Sequence, residues 1–206
     1  MTFHEFLLQQ STSIRNDIYH SSFVQGIGSD NLSQTQRDYY VAQDTYYTDY
    51  FGKLFDLTTE KLTPLQQASK PVSTDEQTAH DALLASQAML NIPPDQHNLA
   101  YLEHMEKAMM QGDATNAMLA LLPCTESYHL IGTHFINKFP NNTYEPWLAY
   151  YTSPDYKAFT QWSWQVVDQQ VPDWQKLSFE TQQAYLSTYL TSYQYELTFW
   201  DQAARH

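Results

Sequence analysis

Thiols are nearly absent from this chain: Cys124 is the single cysteine among 206 residues. One thiol cannot close an internal disulfide, which excludes a cross-linked secreted scaffold and fits a reducing, cytoplasmic setting. Glycine is scarce too, at five residues, and none of the five builds a Gly-rich phosphate loop. Positive charge is the third shortage. Ten Lys and Arg stand against 23 Asp and Glu, a formal net charge of −13. Such a surface repels phosphate backbones and anionic lipid, so neither nucleic acid nor a membrane is expected as a partner. No apolar run approaches the roughly 18 residues a spanning helix needs. The first ten residues, "MTFHEFLLQQ", lack a basic stretch followed by a long apolar one, so no signal peptide is expected.

What the chain has in plenty is aromatic side chains: 16 Tyr, 10 Phe and 5 Trp. Rings of this size belong in a core or a subunit interface. Because Tyr outnumbers Phe, many buried hydroxyls must find hydrogen-bond partners, which favours a polar-lined pocket or a wet interface.

Hydrophobic periodicity is helical throughout, with no alternating run bounded by hairpin turns. The pattern predicts a first helix over about 2–19, then a loop through "SSFVQGIGSDNLS". Ser33 with Gln36 forms a capping box that opens a long helix to about Phe55. A connector follows, with room for a short helix in "TTEKLTPLQQASKPVS". Thr74 with Gln77 predicts a second capping box and a helix to about Leu90, and another helix reaches Gln111. A helix over about 114–138 is expected to be interrupted at Pro123, where the missing N–H bends the chain. A short helix near 145–151 leads to Ser153-Pro154, an N-cap followed by proline at the first helical position. That helix runs to about Val171, and the last starts after Ser178. With no internal repeat and short connections, the expected architecture is all-α, a single-domain bundle over 1–206.

Three positions stand out chemically. In "LALLPCTESYHLIG", Cys124 follows the proline, and Tyr128 four residues on can bring a phenol over the sulfur. A thiol needs such local help to act as a nucleophile near neutrality; the plain alternative is a small buried hydrophobe. In "YYVAQDTYYTDYF", Asp44 shares a helix face with Tyr40, Tyr47 and Phe51. An inward carboxylate between aromatic walls would suit a flat ligand with an amidine-like edge, whereas an outward one would only be solvated. In "YLTSYQYELTFWDQA", Glu196 lies on a face with Tyr189, Ser192, Tyr193, Phe199 and Trp200. Burial there would raise its pKa toward the range useful for proton transfer, and the alternative is again a surface acid. Glu126 and His129 have the Glu-x-x-His spacing of di-iron bundles but no second copy of the motif. His20 has the chemistry of a haem ligand and stands alone. Neither a metal nor a cofactor is expected.

Four stretches, "HSSFVQGIGSDNLSQTQRDYYVAQDTYY", "LALLPCTESYHLIG", "WLAYYTSPDYKAF" and "YQYELTFWDQA", together resemble the TenA (thiaminase II, aminopyrimidine aminohydrolase) family in order and spacing. The resemblance implies a haem-oxygenase-like helical fold without haem, usually a homotetramer. It implies hydrolysis at the carbon on C5 of a 4-amino-2-methylpyrimidine, in 5-aminomethyl-4-amino-2-methylpyrimidine or in thiamin, to give hydroxymethylpyrimidine for thiamin salvage. By position, Cys124 matches the family's nucleophile, Asp44 the carboxylate that holds the aminopyrimidine edge, and Glu196 the acid/base. Tyr47, Tyr101, Tyr128, Tyr151 and Phe199 match the aromatic lining. The chain departs from the family in "TAHDALLASQAMLNI", where the expected Glu and His are missing and His80 sits near the helix start. That departure leaves a non-catalytic pyrimidine-binding or regulatory protein of the same fold as the rival reading.

Overall fold

In a computed structural model that describes residues 1–71, 76–86, 91–139 and 141–206, eleven α-helices and no strand are present among the described residues. The helices are α1 (Phe3–Gln10), α2 (Thr12–His20), α3 (Ser22–Ser29), α4 (Gln34–Glu60), α5 (Pro64–Ala68) and α6 (Gln77–Leu83). They continue with α7 (Gln96–Gln111), α8 (Ala114–Phe135), α9 (Glu145–Tyr151), α10 (Pro154–Gln170) and α11 (Phe179–Ala204). The expected all-α bundle is what forms. Helix α8 is its axis: α4, α7, α9, α10 and α11 all pack against it, and sixteen of its 22 residues are buried. One connected apolar core runs from Phe3 in α1 to Ala203 in α11. No described helix is long and apolar enough to cross a membrane.

The capping signals were reliable guides. Ser33 accepts the Gln36 N–H at 3.1 Å and Gln36 answers with its own side chain, closing the box that starts α4. Ser153 and Ser178 cap α10 and α11 by the same side-chain-to-backbone bond. Each such cap contributes about 1 kcal/mol by satisfying an N–H the helix cannot.

Four expectations need correction. The first helix is two, α1 and α2, broken at Ser11. The Leu8 carbonyl is taken by the Arg15 guanidinium at 2.6 Å and by the Ser11 hydroxyl at 3.2 Å, side-chain bonds that compete with the helical ladder. The loop predicted after residue 20 is instead α3, capped by Ser21 and burying Phe23, Val24 and Ile27. Its glycines read as loop residues, yet they serve close packing. A Cβ on Gly28 would lie 2.3 Å from the Phe135 ring, and one on Gly26 2.3 Å from Leu32. Helix α6 ends at Leu83, not near Leu90, because buried Asp38 draws the next backbone out of the helix. Its carboxylate accepts the N–H groups of Ala85 at 2.9 Å and Ser86 at 2.8 Å. Thr74 of the predicted second capping box, and residues 87–90, lie outside the described residues. Finally, α8 runs unbroken through Pro123; the proline removes one N–H from the ladder without ending the helix.

Gly28→Val should therefore lower stability by about 1–3 kcal/mol, the usual cost of overpacking, read as a drop in the urea midpoint. Phe135 is buried, so its ring is packed on all sides and yields little.

Candidate active site

The three singled-out residues come from three helices that meet around α8. Asp44 is on α4, Cys124 on α8 and Glu196 on α11, and all three are buried. The outward alternatives for Asp44 and Glu196 are thereby excluded. A cavity of about 370 Å3 reaches this cluster from one side, within the roughly 300–1,000 Å3 range of ligand pockets. Of the eight residues expected at the site, only Cys124 opens on the cavity. The other lining side chains include Phe51, Phe55, His80, Tyr156 and Phe159. Asp44, Tyr47, Tyr101, Tyr128, Tyr151, Glu196 and Phe199 form the layer behind the sulfur.

That layer is organised by phenols. The hydroxyls of Tyr40 and Tyr128 donate to Asp44 at 3.1 and 3.2 Å. Glu196 accepts from the hydroxyls of Tyr101 at 2.8 Å and Ser127 at 3.1 Å. Tyr128 thus serves the carboxylate and not the thiol, contrary to the helix-spacing expectation. The phenol beside Cys124 is Tyr47, whose hydroxyl donates to Met105 Sδ at 3.9 Å and lies near enough to the thiol to pull its pKa down. The Tyr47 ring also packs 5.4 Å from Tyr101 and 6.0 Å from Phe199. Tyr151 is fully buried against Tyr128, with ring centres 4.8 Å apart. Its hydroxyl has no hydrogen-bond partner among the described residues.

Burial dominates the electrostatics. Desolvation pushes Glu196 from 4.5 up to about 7, against the pull of its Tyr101 and Ser127 donors. At about 1.4 kcal/mol per pH unit, that is about 3 kcal/mol in favour of the neutral acid. Two hydrogen bonds do not replace a full hydration shell. The Cys124 thiol is also held protonated, first by burial and next by the field of Glu196, while Tyr47 opposes both. Thiol and carboxyl are therefore electrostatically coupled, and an anion on one disfavours an anion on the other.

His80 is the residue that the sequence reading left aside. It lies one helical turn after Glu76, and both line the cavity. His80 Nε2 lies 2.8 Å from Asp44 Oδ2, and its pKa is raised because that bond and charge outweigh the opposing burial. The supposed absence of a Glu and a His from this helix is thus corrected: the i, i+4 spacing of Glu76 and His80 was the available signal. One ligating atom from each of Asp44, Glu76 and His80 falls within 4.8 Å of the others, the one such trio among the described residues. The di-metal alternative fails on geometry. Glu126 is enclosed by Tyr189, Tyr193 and Trp164, while His129 Nδ1 lies against the Tyr151 carbonyl at 2.8 Å. His20 is exposed and turns to its own helix, at the Asn16 carbonyl, so it is no core haem ligand.

A helical bundle with a buried thiol, an inward carboxyl of raised pKa and a second buried carboxylate is a fold built around a reactive core. The comparisons agree. A model of the TENA/THI-4/PQQC family matches residues 83–206, and the chain belongs to that family. It is 28% identical to the aminopyrimidine aminohydrolase of Halalkalibacterium halodurans, across 98% of this chain and 96% of that protein. It is 24% identical to the aminopyrimidine aminohydrolase of Helicobacter pylori, across 98% and 99%. Among solved structures, a TenA homologue from P. horikoshii superposes with a TM-score of 0.82 at 22% identity, covering 100% of this chain and 99% of that one. A TenA family transcription regulator from a Silicibacter species gives 0.84 at 19% identity, covering 98% and 96%.

The raised Glu196 pKa has a measurable consequence for folding. The native chain binds this proton more tightly than the unfolded chain, so its contribution to stability is complete below about 4.5 and is lost as pH rises through about 7. Glu196→Gln should flatten the fall in stability across that window, seen in urea midpoints measured from pH 4.5 to 8.

Proposed function

We propose that this protein is an aminopyrimidine aminohydrolase, which hydrolyses 5-aminomethyl-4-amino-2-methylpyrimidine, and thiamin, to hydroxymethylpyrimidine for thiamin salvage. The observation that carries the reading is the Cys124 thiol at the inner wall of the cavity, with the Tyr47 phenol and the buried Glu196 carboxyl beside it. The names of the relatives and the near-complete overlap with them support it.

In this mechanism Glu196, poised at about 7, takes the proton of Cys124, so burial of a thiolate is offset by neutralising the carboxylate beside it. The sulfur anion adds to C6 of the pyrimidine. Asp44 accepts from the amino group, and a proton shared between its carboxyl and the adjacent ring nitrogen draws electron density from C6 and stabilises the adduct. His80 reaches Asp44, and it is the contact that the amino group of the substrate would replace. Electrons released from the ring expel the group on the C5 methylene, which leaves as a neutral amine with the pair of the broken C–N bond. Glu196 supplies a proton where the leaving nitrogen requires one. Water then adds to the exocyclic methylene, giving its proton to Glu196, and the C–S bond breaks to return the sulfur. A thiol suits the role because it both attacks and departs readily. Tyr47, Tyr101, Tyr128, Tyr151 and Phe199 back the sulfur and the two carboxyls and keep bulk water from them.

Within this reading the chain is one domain over 1–206, supported by the core continuous from Phe3 to Ala203. It works as a cytoplasmic homotetramer. The unpaired thiol supports the compartment, and exposed apolar side chains such as Leu65 and Phe179 supply area for subunit contacts.

Cys124→Ser should fold with unchanged helix content by circular dichroism yet lose at least about a thousandfold in hydroxymethylpyrimidine release. Near-normal turnover would remove the nucleophile. A wild-type protein that binds a 4-aminopyrimidine without releasing product would favour the non-catalytic reading. In Glu196→Gln the limb of the rate–pH profile near 7 should disappear, and its persistence would move the proton transfer to another group.

A further inference from the structure

Two carboxylates and an imidazole converge where α6 packs on α4. Glu76 and His80 stand one helical turn apart, with the His80 backbone N–H bonded to the Glu76 carbonyl at 3.0 Å, and both side chains line the cavity. Asp44 meets them from α4, its Oδ2 lying 2.8 Å from His80 Nε2. One ligating atom from each of the three falls within 4.8 Å of the others, with Asp44 and His80 buried and Glu76 half-buried. With both acids ionised, this corner carries an excess of negative charge even beside a protonated imidazole. Enclosure from water makes such an excess unfavourable unless a cation joins it.

A second observation points to the same place. The Tyr151 hydroxyl is fully enclosed yet has no hydrogen-bond partner among the described residues. Its ring lies 4.8 Å from that of Tyr128, which donates to Asp44. Burial is the first cause that pushes the Tyr151 pKa up, the charge of Glu76 is the next, and Asp44 contributes as well. The hydroxyl thus sits in the field of both acids. A buried polar group in that condition calls for a ligand that completes it.

We propose that Asp44, Glu76 and His80 bind a divalent transition metal of the zinc class, and that the bound ion keeps the aminopyrimidine out. The donor set selects the class. An imidazole nitrogen with two carboxylate oxygens suits zinc, whereas magnesium prefers oxygen ligands and keeps its waters. Ligands on a tetrahedral zinc lie roughly 3.3 Å apart, so turning the long Glu76 side chain closes the trio around the ion. The metal takes the place of the hydrogen bond between His80 and Asp44. Tyr40 and Tyr128, which donate to Asp44, steady that carboxylate from behind, as outer partners of metal ligands do. A water on the fourth position is a partner for the Tyr151 hydroxyl. The inhibition rests on the aminohydrolase reading, because Asp44 is where the substrate's amino group docks. The metal site does not rest on it.

The test uses the full-length chain with zinc chloride and with magnesium chloride, read by equilibrium dialysis and by melting temperature. The wild type should bind one zinc per chain and melt higher with it, and magnesium should do neither. Glu76→Gln and His80→Gln, each short of one ligand, should weaken zinc binding about tenfold or more. Cys124→Ser should bind zinc as the wild type does, which separates this site from the thiol. In turnover, zinc should raise the apparent KM for 5-aminomethyl-4-amino-2-methylpyrimidine and leave kcat unchanged. Glu76→Gln, set against its own zinc-free rate, should need proportionately more zinc for the same rise. A wild type that binds no zinc, or binding that survives in Glu76→Gln and His80→Gln or disappears in Cys124→Ser, overturns the site. Zinc bound with no change in KM overturns the exclusion of substrate. Zinc bound by a protein that releases no hydroxymethylpyrimidine removes the aminohydrolase reading and leaves the site standing. Should one of the two ligand variants fail to fold by circular dichroism, the other decides.

Discussion

The tyrosine-to-carboxylate hydrogen bond organises this molecule. Of the four buried acids among the described residues, Asp38 is held by the backbone and hydroxyl of the segment after α6. The other three, Asp44, Glu126 and Glu196, each accept from at least one phenol: Tyr40 and Tyr128, Tyr189 and Tyr193, and Tyr101 respectively. A phenol is well suited to this. It fills core volume as Phe does, and a hydrogen bond to a charged group contributes about 1.5–3 kcal/mol, enough to offset part of the several kcal/mol lost on burying a carboxylate. The excess of Tyr over Phe in the composition therefore has a structural cause. The three carboxylates at the centre of the bundle have ring-bearing donors around them.

The compensation is unequal among the acids, and the inequality creates reactivity. Glu196 has two hydroxyl donors and remains poised at about 7. That incompleteness keeps it able to change charge near neutrality beside a thiol that cannot ionise alone. Asp44 is reached by two phenols and an imidazole, a denser set of donors. Two carboxylates in one core, differently solvated by protein, can therefore take different parts in one reaction.

Much of this was legible in the residues. The capping serines fixed the starts of α4, α10 and α11. The four-three-four spacing around Asp44 and the aromatic face around Glu196 mark both residues as candidates but leave inward and outward orientations open. Less accessible was whatever depended on packing between distant segments. The glycines of α3 look like loop residues until Phe135 and Leu32, far or across a turn, are seen against them. The early end of α6 rests on Asp38, some 47 residues away. Position on the same helix points to Tyr128 as the phenol at the sulfur, but the phenol that acts on the thiol is Tyr47 from α4. Local periodicity finds neighbours on one helix and is blind to a neighbour supplied by another. His80 was passed over for the same reason, since its partner is also on α4.

Cys124 and Glu126 are two residues apart on α8, which turns them about 200° from each other around the helix axis. One edge of the helix thus presents the sulfur, while the opposite edge is clamped by Trp164 from α10 and two tyrosines from α11. The clamp acts as a torsional lock. Any rolling of α8 that would swing the sulfur out of line must first drag an acid out of its cage. The aim of the thiol is thereby set from the far side of its own helix, by an anchor that never meets the ligand.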